Sequence, residues 1–90
     1  MKGYKTGLDG VSEMEEKTLL QLGNEQTATV KEIHGGYGVV RRLESLGIRP
    51  GKTITKISSH FWRGPVTVLV GKGKVAIGHG MAQKIVVEVK

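Results

Sequence analysis

The residues with the types and spacing to do chemistry fall into three groups. The first is GIRPGKT, Gly47 to Thr53, whose Gly-Lys-Thr ending is the one that closes phosphate-cradling loops. Such a loop puts four residues between its first glycine and the Gly-Lys, follows a buried strand, and opens a helix whose N-terminus faces the anion. Here only Ile48, Arg49 and Pro50 intervene. The flanking pattern also runs the other way, from helix to strand, so a nucleotide site is excluded on spacing and context together. The second group is His34, His60 and His79, the candidate metal ligands. No two stand at the close spacing by which one helix or hairpin converges on an ion, and carboxylates nearby are few. Their ordinary role is as turn-flanking side chains.

The third group is Phe61, Trp62 and Arg63, together with Arg41, Arg42 and Arg49. Phe61-Trp62-Arg63 lies beside Gly64-Pro65, where a loop is usually polar, and holds two of the four aromatic residues of the chain. Aromatic and arginine side chains on a loop anchor protein partners, because they bury much area at low entropic cost. Against that stands a packing role, with Phe61 capping one end of the fold and Trp62 lying along a neighbouring glycine; the interface reading favours Trp62. The arginines project from a helix and its exit turn, where they either solvate the helix or meet an acidic partner face. No nucleophile with an adjacent base, no paired carboxylates and no cofactor motif occur, so no catalytic residue is assigned, no cofactor is expected, and an enzyme is excluded.

The elements that must position these groups follow from hydropathy period and turn chemistry. In GVVRRLESLG, Val39, Val40, Leu43 and Leu46 recur at helical spacing with Arg41, Arg42, Glu44 and Ser45 on the other side. Gly47 has the place of the left-handed residue that ends such a helix, Ile48 of the apolar residue packing back on it, and Pro50-Gly51 of a type II turn. Strands are expected at Ala28 to Ile33, Thr53 to Ser58, Val66 to Val70, Lys74 to Ile77 and Ile85 to Val89, with Gly71-Lys72-Gly73 as a hairpin turn. Thr18 and Gln21 form a capping box over a short helical turn at 19 to 22, a longer helix from Glu13 being the alternative, and Met81 to Lys84 suggests another turn. Five short strands at this size bury one face best by curling. The expected fold is all-β, a small SH3-like β-barrel of about five strands with one helix inserted after the first strand. Residues 1–17 are expected to be a flexible extension and 18–90 the barrel domain.

Composition bounds the rest. Ninety residues make one small domain. The absence of cysteine removes disulfides and thiolate sites and agrees with a reducing cytosol, and no apolar run approaches the ~18 residues of a membrane span. A cytoplasmic location is expected. Charge is uneven: Met1 to Lys17 carries four acids and three bases, while the remainder carries eleven bases and four acids. A basic surface of this kind attracts nucleic acid, anionic headgroups or an acidic protein, or simply keeps the molecule soluble.

The run LLQLGNEQTATVKEIHGGYGVVRRLESLGIRPGKTI, followed by GPVTVLVGKGKVAIGHGMAQKIVVEV, resembles the FeoA family, the small cytoplasmic component of bacterial ferrous iron uptake. The matching features are Leu-x-x-Gly, Gly-Gly-x-Gly, Arg42-Leu43, Leu46-Gly47-Ile48, Pro50-Gly51, Gly64-Pro65-Val66, Ala76-Ile77-Gly78, Met81-Ala82 and Lys84-Ile85, in order, over about Leu19 to Val89. The resemblance implies an SH3-like barrel and a non-enzymatic accessory protein that binds and modulates FeoB, a membrane iron transporter with a cytosolic G-protein domain. It transfers no catalytic residues, since the motifs are mostly turn glycines, core aliphatics and the helix stop. Two alternatives stand beside it. One is a nucleic-acid-binding small barrel, against which the strand faces offer Val, Thr and Ile in place of stacking aromatics. The other is a stand-alone relative of the C-terminal barrel of iron-dependent repressors, in a chain without a helix-turn-helix ahead of the barrel.

Overall fold

The computed structural model describes residues 15–59 and 64–89. Their order is β1 (Glu15–Thr18), β2 (Thr27–Ile33), α1 (Tyr37–Ser45), β3 (Thr53–Ser59), β4 (Val66–Val70), β5 (Gly73–Ile77), α2 (His79–Ala82) and β6 (Ile85–Val89). All strands join one antiparallel sheet in the order β1-β6-β2-β3-β4-β5. The expected all-β class with an inserted helix is what the structure shows, with six strands in place of about five. The extra strand is β1. Residues 15–17 were expected in the extension, or in a helix from Glu13, but they pair with β6 from Glu15↔Val89 to Thr18↔Val86. EEKT shows neither apolar alternation nor β-branched enrichment; β6 supplies the ladder, and tertiary pairing overrides local propensity. Residues 1–14 lie outside the described part of the chain.

The charges on the β1–β6 pair of strands are balanced by a lysine of β2. Glu16 stands directly across from Glu88, a like-charged pair that would weaken the ladder. A bulge in β2 between Val30 and Glu32 sets Lys31 apart from the ladder, and its ammonium bonds Glu16 and lies 3.5 Å from Glu88. The hydrogen bond to Glu16 raises the Lys31 pKa above the ordinary lysine range.

Alternation places the core. Ala28 and Val30 of β2, Ile54 of β3, Val66 and Val68 of β4, Ile77 of β5, and Ile85, Val87 and Val89 of β6 are all buried on the inner face. Leu43 of α1, Ile48, Ala82 of α2 and the turn residues Leu19 and Leu22 close over them in one cluster. That turn forms as expected, with Gln21 Oε1 accepting from the Thr18 N–H at 2.9 Å, one half of a capping box. The helix stop is also the expected one. The Ile48 N–H donates to the Leu43 carbonyl and the Gly47 N–H to the Glu44 carbonyl, both at 2.9 Å, which is the Schellman arrangement. Gly47 has φ +89, and a β-carbon there would stand 3.2 Å from Cγ1 of Val70. The next turn follows at once, with φ +94 at Gly51 and Lys52 N–H bonded to the Arg49 carbonyl at 3.0 Å. The turn expected at 81–84 begins earlier, as α2 at His79.

One buried residue in this interior is charged. Lys56 of β3 is 4% exposed. Its Nζ donates to the carbonyls of Leu19 at 3.2 Å, Leu20 at 3.1 Å and Leu22 at 2.7 Å. An ammonium has three N–H donors and no acceptor, so all three find partners. Burial pushes its pKa below the ordinary lysine value, while carbonyl acceptors favour the charged form.

Lys56→Met leaves the Leu19, Leu20 and Leu22 carbonyls without their donor and should lower stability by roughly 2 to 3 kcal/mol in urea unfolding. Because the folded-state pKa lies below the unfolded value of ~10.4, the unfolded chain binds more protons between the two, so wild-type stability should rise with pH there while the variant lacks that rise. Gly47→Ala should cost on the order of 1 to 2 kcal/mol for the left-handed backbone, with more from the Val70 contact, read as a lower urea midpoint at constant m.

Candidate functional site: a basic helix face

α1 is short, and its two faces differ in kind. Leu43 is fully buried and Val39 and Val40 are half-buried, while Tyr37, Arg41, Arg42, Glu44 and Ser45 face solvent. The helix starts after Gly35-Gly36 without a side-chain cap and with no acid in its first turn. Gly35 is needed where it stands: its φ is +131, and a β-carbon would lie 3.3 Å from Val39 and from Cδ of Lys84. The His34 N–H bonds the Lys84 carbonyl at 2.7 Å, tying the entry of α1 to the loop before β6. Backbone sterics and one ladder-like bond thus set the direction of the helix.

Tyr37 is the prominent group on that face, 77% exposed. Arg41, four residues on and therefore one turn along the same face, holds its Cζ 5.4 Å from the ring centroid. Arg42 is exposed beside it, its carbonyl bonded by Ser45 Oγ at 2.6 Å. Leu46 is 36% exposed at the helix end, and Arg49 and Pro50 are exposed in the turn beyond. Among the described residues none of the three arginines makes an ion pair. The result is an exposed aromatic ring with one guanidinium over it, and two further exposed arginines toward and beyond the other end of the helix, none of them ion-paired among the described residues. Chemically, it suits a partner surface with carboxylates around an apolar depression.

The arginines expected to project from the helix and its exit turn do so. Tyr37 was missed, because GGYG reads as a turn; the available signal is the spacing of an aromatic residue four ahead of Arg41 on a helix. The Phe61-Trp62-Arg63 stretch and His60 lie outside the described residues. Of the other histidines, His34 is exposed and its Nε2 is 2.8 Å from Oε1 of Glu32. His79 opens α2. Among the described residues no group of three or more His, Cys, Asp or Glu side chains gathers to hold a metal ion. Also among them, no helix is long and apolar enough to cross a membrane.

Comparison with known proteins places this geometry. The FeoA domain model matches residues 17–89. A protein of Methanocaldococcus jannaschii, provisionally named Fe(2+) transport protein A, is 41% identical over 59 residues, 66% of this chain and 70% of its own. The crystal structure of an iron uptake regulatory protein (FeoA) superposes with a TM-score of 0.74 at 33% identity, covering 81% of this chain and 95% of that one. FeoA of Stenotrophomonas maltophilia, solved with zinc and described as a prokaryotic SH3 domain protein, gives 0.67 at 28% identity over 79% of this chain and 88% of its own. A manganese-dependent transcriptional repressor gives 0.77 at 22% identity over 83% of this chain and 42% of that one, a likeness of fold. The SH3-like architecture expected from strand pattern and size is the one these structures share.

Proposed function

The chain belongs to the FeoA family, and from that premise we propose that it is a non-enzymatic cytoplasmic accessory protein of ferrous iron uptake, docking on the cytosolic side of a FeoB-type membrane transporter. The observation that carries the docking surface is α1: Tyr37 stands 77% exposed on a helix whose other exposed side chains are Arg41, Arg42, Glu44 and Ser45. A single exposed ring is ordinary by itself, and the reading rests on its pairing with arginine, the combination that anchors many protein interfaces. Arg41 lies over that ring, Arg42 and Arg49 are exposed further along the helix and its exit turn, and Phe61, Trp62 and Arg63, between β3 and β4 in the sequence, are of the same residue types. Docking of this kind modulates the transporter by binding one of its states more tightly than another. Arginines at the rim accelerate the encounter and set its salt dependence, while the ring supplies most of the lasting affinity.

Titration of isotope-labelled protein with the cytosolic domain of the cognate transporter tests the reading. Saturable amide shifts should centre on Tyr37 to Arg49. Tyr37→Ala should weaken binding by about tenfold to thirtyfold, and Arg41→Glu with Arg42→Glu should flatten the salt dependence. A single-stranded oligonucleotide is the control. Saturation by the oligonucleotide and not by the transporter domain would move the assignment to nucleic acid.

A further inference from the structure

A second surface stands apart from α1. Among the described residues β5 ends the sheet, and its outer edge has no strand beside it. Val70 and Gly73 flank a two-residue turn, Gly71-Lys72, with φ +60 at Gly71 and no positive φ at Lys72, which is a type II′ hairpin. The flanking pair of such a hairpin exchanges both backbone bonds, so the bonded pairs recur at Val68↔Val75 and Val66↔Ile77. Lys74 and Ala76 therefore turn their N–H and C=O groups away from β4. Both residues are exposed, and the side chain at 76 is a methyl group that shields nothing.

An open edge of this sort templates another strand, and charge decides which one. From Gly64 to Gly78 the chain carries Lys72 and Lys74 and no acid. Two copies joined edge to edge through β5 would bring their Lys74 groups directly opposite or diagonal to each other, which disfavours self-pairing. A segment rich in Asp or Glu meets the opposite field. We propose that β5 accepts an extended acidic segment of a partner protein as an added strand, held by the backbone groups of Lys74 and Ala76 and selected by the Lys72 and Lys74 ammonium groups. This contact is independent of the α1 face and does not depend on the transporter assignment.

The probe is a capped eight-residue peptide alternating valine and glutamate, compared with one in which lysine replaces glutamate. With the acidic peptide, the Lys74 and Ala76 amides should shift saturably and exchange more slowly with solvent, and the basic peptide should bind about tenfold more weakly or not at all. Ala76→Pro removes an outward N–H without breaking the β4–β5 ladder, and it should abolish the effect while the remaining spectrum is retained. Lys74→Glu, which leaves the backbone alone, should invert the preference between the peptides and keeps the test decisive should the proline variant misfold. Equal binding of both peptides, shifts that leave Lys74 and Ala76 untouched, unchanged affinity in a folded Ala76→Pro, or concentration-dependent dimerisation through β5 would each overturn the proposal.

Discussion

A single ammonium group ties the interior of the sheet to the turn that follows its first strand. Lys56 sits in the middle of β3, yet its three donors are spent on the turn that joins β1 to β2. Without it, the carbonyls at the end of that turn would face an aliphatic interior. With it, Leu19 and Leu22 are driven into the core beneath the sheet, and β1 is delivered to the edge of β6. The neighbouring backbone reinforces the arrangement, since the Lys56 N–H bonds the Gln26 carbonyl at 3.0 Å. Burying a charge is unfavourable, and the compensation here comes from full use of its hydrogen bonds in place of an opposite charge.

From that anchored sheet the rest of the architecture follows by steric necessity. The helix is placed between two turns that tolerate little change, Gly35 at its entry and Gly47 at its exit, and both positive φ values come with a neighbouring side chain at 3.3 Å or less. A nine-residue helix has little stability of its own. Its position is enforced by these ends and by Leu43 below, which leaves its outer face free to be chosen for charge and shape. The family resemblance accordingly lies mostly in glycines and aliphatics, with Arg42 the one candidate contact among its matching residues.

Much of this was legible in the residues. The Schellman stop at Gly47, the Pro50-Gly51 turn, the β4–β5 hairpin and the inward set of Val66, Val68, Val87 and Val89 each arise from local chemistry acting over a few positions. β1 was not legible, because EEKT becomes a strand only when β6 lies alongside it, and Lys56 was not, because TITKI reads as a strand with a polar residue whose destination depends on a turn more than thirty residues away. The arginines of the candidate site could be placed on a helix from their spacing. The exposure of Tyr37 could not, since it depends on which way the Gly35 turn points the helix.

The aliphatic core has one further consequence, for light. Among the described residues the buried cluster contains only leucine, isoleucine, valine and alanine, and the one aromatic ring, Tyr37, is on the surface. In most small domains the near-ultraviolet signal reports how tightly the interior is packed. In this part of the molecule the chromophore and the packing are separated, so the absorption and emission of Tyr37 follow the environment of the helix face and are indifferent to the interior that holds the helix up.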